Sequence, residues 1–208
     1  MADQTKERII EAASRTLVRR GYHDTSMKDI AAEAGVAPGL AHYYFETKED
    51  LLVAAIEHVC RPSMEAWEAA GMSLTGPLPE DADPIAFGRM GFELAKQELK
   101  SYPGVFLLTF DMFGVGLHNP KIAAAVRTFI EERRAFIARI TQGVIAGMAE
   151  PPIASADDIA AALWGSMHGI ALQKVMDPEF DADAAIDALG EMAIAFATRP
   201  AVRRPEEG

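Results

Sequence analysis

Apolar residues recur at helical spacing along nearly the whole of this chain. In residues 6–20, for example, Ile9, Ala13 and Leu17 fall on one face of a helix. No segment stands out for the alternation of apolar and polar residues that a half-buried strand shows. The pattern therefore predicts an all-α protein of about nine helices.

Helix boundaries are marked by hydroxyl caps, glycines and prolines. Three hydroxyl residues are followed three positions later by an aspartate, which is a form of the capping box. Gly21 and Gly35 suit the ends of the first two helices, and Pro38 suits the first position of the third. The capping pairs are Ser26 with Asp29, Thr47 with Asp50 and Ser155 with Asp158. Later helices are predicted at about 48–70, 84–100, 104–117, 120–149, 155–176 and 181–197, with a loop at 71–84.

Composition limits the function classes. Half of the 208 residues are hydrophobic, which is enough for a sizeable core. The net charge is −11, and residues 1–60 hold 7 Lys and Arg against 10 Asp and Glu. A nucleic-acid partner would therefore have to meet a local surface, not a globally basic protein. The single cysteine, Cys60, excludes an internal disulfide and fits a reducing cytoplasm.

The segment from Thr25 to Leu52 carries the most specific pattern. Two short helices joined by a turn at Gly35 match a helix-turn-helix. Ile30, Val36 and Ala41 can form the core that the two helices share, and the second helix would enter the major groove of DNA.

This segment resembles the TetR family of bacterial transcriptional regulators. The residues that carry the resemblance are Thr25-Ser26, Ile30-Ala31, Ala34-Gly35-Val36, the run from Gly39 to Phe45 and Lys48-Glu49-Asp50-Leu51-Leu52. The run from Leu40 to Phe45 is also similar to the choline-responsive repressors of that family. The sequence departs from the family pattern at Ala37, where a hydroxyl cap is usual, and at Leu40 and Ala41.

The resemblance implies a set of DNA-binding residues. Thr25 and Ser26 would cap the second helix and donate to phosphate, and Lys48 would anchor another phosphate. The remainder would lie on the recognition helix, toward bases or phosphate. The full set is Thr25, Ser26, Pro38, Gly39, Leu40, His42, Tyr43 and Lys48.

Small residues on the predicted eighth helix indicate close helix packing. Ala161, Gly165 and Gly169 are spaced four apart and form one strip. The last two helices of two chains would make a four-helix dimer interface, as in the resembled family, although packing within one chain is the alternative. The expected interface residues are Ala161, Gly165, His168, Gly169, Leu172, Leu189, Ala193 and Phe196.

Aromatic residues and methionines concentrate on the middle helices, where they can line an adaptable apolar pocket or simply fill a core. This region offers few basic residues and an unpaired buried charge is costly, so a neutral or basic effector is favoured over an anionic one. Asp111 would be its polar partner if it faces inward, and a solvent-facing position is the alternative. The candidate ligand-binding residues are Met90, Phe106, Phe110, Asp111, Phe113 and Trp164.

These features together predict a regulator. Residues 1–47 would form a DNA-binding domain, residues 48–198 a ligand-binding and dimerisation domain, and residues 199–208 a disordered tail. The expected partners are double-stranded palindromic operator DNA, a small effector and a second copy of the chain, in the cytoplasm and away from membranes. Effector binding would release the operator, with the fourth helix transmitting the change.

Two alternatives remain open from the sequence. One is an all-α enzyme or small-molecule carrier, and the other is a DNA-binding protein without an effector. Catalysis has little support. The run Gly165-Ser166-Met167-His168-Gly169 is similar to a nucleophile motif, but its serine is misplaced for G-x-S-x-G and no strand precedes it. No metal spacing of histidines and no nucleotide-binding fingerprint is found, so neither a metal nor a cofactor is expected.

Overall fold

A computed structural model describes residues 2–72, 83–146 and 154–198. Within these ranges the chain forms nine α-helices and no strand, which confirms the predicted all-α fold. The helices are α1 Ala2–Arg20, α2 Met27–Glu33, α3 Pro38–Tyr44, α4 Lys48–Ala69, α5 Pro84–Ser101, α6 Pro103–Gly116, α7 Pro120–Ala146, α8 Ala156–Met176 and α9 Ala182–Thr198. Most of the loop predicted at 71–84 and the tail predicted at 199–208 lie outside the described residues.

The predicted capping pairs form. Ser26 is the N-cap of α2, where its hydroxyl accepts the Asp29 N–H at 3.2 Å and its own N–H donates to the Asp29 carboxylate at 2.9 Å. Thr47 and Asp50 exchange the same two bonds before α4, both at 3.2 Å. These bonds satisfy amide groups that the first turn of a helix cannot pair, and so they fix where the helices begin.

Glycine conformation sets the end of α1 and the turn between α2 and α3. Gly21 has a φ of 78° and Gly35 a φ of 64°, both in the left-handed region that side chains disfavour. The turn at Gly35 closes with a 2.9 Å bond from the Val36 N–H to the Ala31 carbonyl. The chain can therefore turn between two short helices within four residues, 34–37.

The chain divides into two compact units. Among the described residues, the first contains 2–66 and 101–129, and the second contains 67–72, 83–100, 130–146 and 154–198. In the first unit α6 packs against α1, so closely that a methyl group at Gly104 would lie 3.2 Å from Val18. The division by function at residue 47 stays a prediction, because these units follow packing and place α6 with the helix-turn-helix.

Each unit has its own core. In the first unit the largest fully buried side chains come from α1, α2, α4, α6 and the start of α7, including Leu17, Ile30, Leu52 and Met112. In the second unit Met72, Phe87 and Phe136 are buried together. No helix in the described ranges combines the length and apolar character needed to cross a bilayer.

Candidate DNA-binding surface and effector cavity

The two short helices of the first unit are held by a small shared core. Ile30 and Ala31 of α2 and Ala41 of α3 are fully buried. Phe45, which ends α3, is buried as well, and its N–H donates to the Ala41 carbonyl at 3.0 Å. The inner face of α3 is therefore fixed, and its other side chains point away from the core.

The outer face of α3 carries the residues expected to meet DNA. Pro38, Gly39, Leu40 and His42 are exposed, and Tyr43 is 79% exposed. Tyr44 behind it is half-buried, and the two rings meet edge to face with centroids 5.2 Å apart. The structure thus brings five of the eight predicted DNA-binding residues onto one short helix.

Thr25 and Ser26 play different parts. Ser26 caps α2, whereas Thr25 is buried and its hydroxyl donates to the Gly21 carbonyl at 2.8 Å. The expectation that both residues cap α2 is wrong for Thr25, because its side chain closes the turn after α1 instead.

Lys48 lies within a cluster of contacts. Its ammonium group donates to the carbonyl oxygens of Tyr22 at 2.6 Å and Thr25 at 2.7 Å, and it lies 3.8 Å from the centre of the Tyr22 ring. Burial lowers the pKa of Lys48, and the carboxylates of Glu49 and Asp111 partly oppose that shift. The lysine predicted to anchor phosphate therefore holds the turn between α1 and α2.

Asp111 is part-buried and its carboxylate binds the backbone of the turn after α1. Its carboxylate accepts the backbone N–H of Tyr22 at 2.7 Å, within the first unit. Phe106, Phe110 and Phe113 belong to the same unit, and Phe113 packs against Phe129. The six predicted ligand-binding residues are therefore divided between the units, with Met90 and Trp164 in the second.

A cavity of about 130 Å³ lies in the second unit. None of the six predicted ligand-binding residues lines it, although Met90 packs against the cluster that includes one lining residue, Phe136. The lining residues are Trp67, Ile85, Gly88, Gly91, Phe92, Ala95, Phe136, Ile137, Ile140, Thr141, Val144, Ile159, Leu163, Met167, Ala193 and Ile194. Helical periodicity marks many of these as inward-facing, but it cannot show which inward-facing residues leave space between them.

Part of the predicted dimer surface is open in the single chain. A methyl group added at Gly165 or Gly169 would meet no atom within 4 Å, and Leu172 and Phe196 are exposed. The sequence analysis did not single out two strongly exposed methionines, Met176 on α8 and Met192 on α9. Ala161 and Leu189 are half-buried, and Ala193 lines the cavity.

His168 is tied to its own helix. Its ring lies against that of Trp164, with centroids 3.9 Å apart and planes tilted by 32°, and its Nδ1 lies 3.0 Å from the Trp164 carbonyl oxygen. Burial lowers the pKa of His168. Among the described residues no cluster of His, Cys, Asp and Glu is arranged to hold a metal ion.

Two short helices joined by a left-handed glycine, with an exposed second helix, define a helix-turn-helix protein. Residues 9–55 match the family described as "Bacterial regulatory proteins, tetR family". The N-terminal part of the chain therefore carries a helix-turn-helix domain of the TetR family, as the resemblance of residues 25–52 predicted.

Curated relatives agree over part of the chain. The "HTH-type transcriptional regulator BetI" of Brucella suis biovar 1 is 33% identical over 97 residues, which is 47% of this chain and 49% of that protein. The "Uncharacterized HTH-type transcriptional regulator YerO" of Bacillus subtilis is 32% identical over 79 residues, covering 38% of this chain and 27% of that protein. The chain thus matches at most about half the length of these two relatives.

Solved structures share the fold over most of the chain. The transcriptional regulator FadR from Bacillus subtilis, solved in complex with stearoyl-CoA, has a TM-score of 0.72 at 18% identity and covers 91% of this chain and 97% of its own. A TetR transcription regulator from Haloarcula marismortui has a TM-score of 0.70 at 20% identity, covering 94% and 97%. At these identities the likeness shows the fold alone.

Proposed function

We propose that this protein is a transcriptional repressor that binds palindromic operator DNA as a homodimer and releases it when a small, largely apolar effector binds. The observation that carries the proposal is the outer face of α3. Tyr43 is 79% exposed on a helix whose inner side is fixed by buried Ala41 and Phe45. A rigid helix that presents an aromatic ring and a histidine to solvent suits insertion into a major groove.

The proposed contacts divide into base and phosphate groups. Pro38, Gly39 and Leu40 would approach base edges, where Leu40 can touch a thymine methyl group. His42 and Tyr43 would reach bases or phosphate. The Ser26 hydroxyl donates to the Asp29 carboxylate, so it would donate to phosphate from the start of α2 only by exchanging that bond. Thr25 and Lys48 would act chiefly by holding the turn that places Ser26, because their side chains donate to backbone carbonyls.

The second unit supports dimerisation and effector binding. Gly165 and Gly169 leave open space that a partner helix could occupy, next to the exposed Leu172. The cavity offers an apolar site for the effector. It also favours an effector-responsive regulator over one that binds DNA constitutively. An operator in the bacterial chromosome would place the protein in the cytoplasm.

The mechanism is a shift between two populations of the dimer. In a helix-turn-helix dimer the recognition helices fit DNA only when they are about 34 Å apart, one turn of the double helix. An effector that binds more tightly to a dimer with another spacing would lower operator affinity. The largest possible decrease is the ratio of the effector's affinities for the two forms of the dimer. Helix α4 is continuous between residues of both units and is the proposed route of coupling.

A gel-shift assay tests the proposal. The full-length protein is incubated with the DNA upstream of its own gene and with a scrambled fragment of equal length. Binding to the first alone, lost in Tyr43→Ala but kept in Leu117→Ala, supports operator recognition, since Leu117 is equally exposed at the end of α6. Equal binding of both fragments would refute it. Metabolite extracts added to the same assay test for an effector.

A further inference from the structure

We infer that the cavity in the second unit takes an uncharged molecule with a compact hydrocarbon body, close to benzene in size. This inference rests on the proposed function in that the cavity is treated as the effector site. It goes further by excluding both anions and cations, whereas the sequence favoured neutral or basic effectors, with Asp111 as a possible partner. The Asp111 carboxylate accepts a hydrogen bond from the Tyr22 N–H in the first unit, and Asp111 is not among the cavity residues.

The described part of the lining offers almost nothing to a charge. None of its sixteen residues is ionisable. The Thr141 hydroxyl already donates to the Ile137 carbonyl at 2.9 Å, so it has only lone pairs left for a ligand. Among the described lining residues, the indole N–H of Trp67 is therefore the remaining side-chain group that could donate a strong hydrogen bond to a ligand. An ion moved from water into such a site would lose its hydration with no countercharge in return.

Three basic residues of α5 pair with three acidic residues of α9. Arg89 meets Glu191 at 2.7 Å, and Lys100 meets Asp183. Lys96 meets Asp187 and also Glu93, and these hydrogen bonds raise its pKa. The order of these pairs shows that α5 and α9 run antiparallel. Phe92 and Ala95 of α5 and Ala193 of α9 line the cavity.

A cation bound by aromatic rings is the strongest competing occupant. Trp67, Phe92 and Phe136 all line the cavity, and Trp67 packs edge to face on Phe136 at 5.4 Å. The attraction of a strongly hydrated ammonium ion to ring faces is smaller than the cost of removing that ion from water. Because no carboxylate is found among the described lining residues, the balance favours a neutral molecule of the same shape.

The volume and two glycines set the size of the ligand. An apolar cavity of roughly 150 Å³ is known to hold benzene, and this one measures about 130 Å³. Gly88 and Gly91 lie in the interior of α5, where glycine weakens a helix relative to alanine. A methyl group at Gly88 would lie 3.8 Å from Val144, another lining residue, so it would fit without strain and occupy cavity space. Gly88 is therefore a size-determining residue of the site.

Three probes of one shape test the charge requirement. The neutral probe is the alcohol 3,3-dimethylbutan-1-ol. The cation is choline, which has the same skeleton with a positively charged nitrogen in place of the quaternary carbon. The anion is 3,3-dimethylbutanoate. Each is titrated into the full-length protein while the melting temperature and the calorimetric binding heat are followed. The alcohol is expected to bind at least tenfold more tightly than either ion. Equal or tighter binding of choline or of the carboxylate, or no binding of the alcohol, would overturn the inference.

Variants at Gly88 test the location. Gly88→Ala should weaken alcohol binding severalfold and Gly88→Leu more than tenfold, with the helical circular dichroism retained. Gly114→Ala is the matched control, because a methyl group there meets nothing within 4 Å on α6. If folded Gly88→Leu binds the alcohol as the wild type does, the site lies elsewhere.

Operator binding is measured separately with the same probes. If the alcohol binds selectively but never alters the gel shift, the ligand class stands and the effector role fails. If choline alone releases the operator, the repressor proposal stands and the inference of an uncharged ligand is wrong.

Discussion

The backbone N–H of Tyr22 donates a 2.7 Å hydrogen bond to the carboxylate of Asp111, a residue 89 positions further along the chain. The carbonyl of the same Tyr22 accepts from Lys48 at 2.6 Å. The last residues before the helix-turn-helix are thus held by the start of α4 on one side and by α6 on the other. The position of Ser26 and α2 depends on this turn.

Replacing Asp111 should loosen that turn. Asp111→Ala leaves the Tyr22 N–H without its partner, and we expect the free energy of unfolding to fall by about 1–3 kcal/mol. Operator affinity should fall as well, because the start of α2 is less well fixed. Urea unfolding followed by circular dichroism measures the first effect and a gel shift the second. Asp111→Asn retains an acceptor oxygen, so its free energy of unfolding and its operator affinity should fall clearly less. Equal decreases in the two variants would show that loss of the hydrogen bond to Tyr22 does not cause them.

Lys48→Ala should weaken binding to all DNA sequences alike and lower stability at the same time. The reason is that its ammonium group donates to the carbonyls of Tyr22 and Thr25. Losing one phosphate contact reduces the slope of log K against log salt by about 0.9. We expect a smaller reduction, measured by fluorescence anisotropy over a range of salt concentrations. A full reduction with unchanged stability would instead place this lysine on a phosphate.

Adjacent tyrosines on α3 provide a matched pair of variants. Tyr43 is exposed and Tyr44 is half-buried. Tyr43→Ala should change the free energy of unfolding by no more than about 0.5 kcal/mol, as for most surface substitutions, yet weaken operator binding at least tenfold. Tyr44→Ala should reduce stability. The docking geometry proposed for α3 is wrong if folded Tyr43→Ala binds the operator normally.

Local features of the fold were predictable because their signals lie within a few residues. Ser26 and Asp29 are three apart, and their reciprocal hydrogen bonds need no other part of the chain. The same holds for Gly35, whose left-handed φ allows the turn between two short helices. Helix ends and the helix-turn-helix could therefore be placed from sequence.

Long-range partners could not be predicted in this way. An acidic residue within an apolar run suggested an effector anchor, but nothing near Asp111 in sequence indicates the Tyr22 N–H. The cavity was missed for a related reason, since an inward-facing residue such as Ile140 can either fill a core or border an empty volume. Only the packing of α5, α7, α8 and α9 residues decides between those outcomes.

Alkaline pH should destabilise the protein through Tyr22. Burial, together with a hydrogen bond to Glu49, raises the pKa of this tyrosine to about 12, against about 10 in an unfolded chain. The stabilisation is complete below about pH 10 and is lost as the pH rises through the folded value. Tyr22→Phe cannot ionise, so its urea midpoint should fall less steeply over that range. Parallel pH profiles of the two proteins would exclude this contribution.

Gly165→Leu should separate the dimer into folded monomers. In the single chain the added side chain would project into open space, because no atom lies within 4 Å of the Cβ position. Folding of the protomer should therefore be retained, whereas two α8 helices packed through this strip would be forced apart, and overpacking commonly costs about 1–3 kcal/mol. Sedimentation equilibrium at micromolar concentration should show a wild-type dimer and a variant monomer. Gly114→Leu, in equally open surroundings on α6, should remain dimeric. The interface lies elsewhere if folded Gly165→Leu also sediments as a dimer, and a monomeric wild type would refute the homodimer itself.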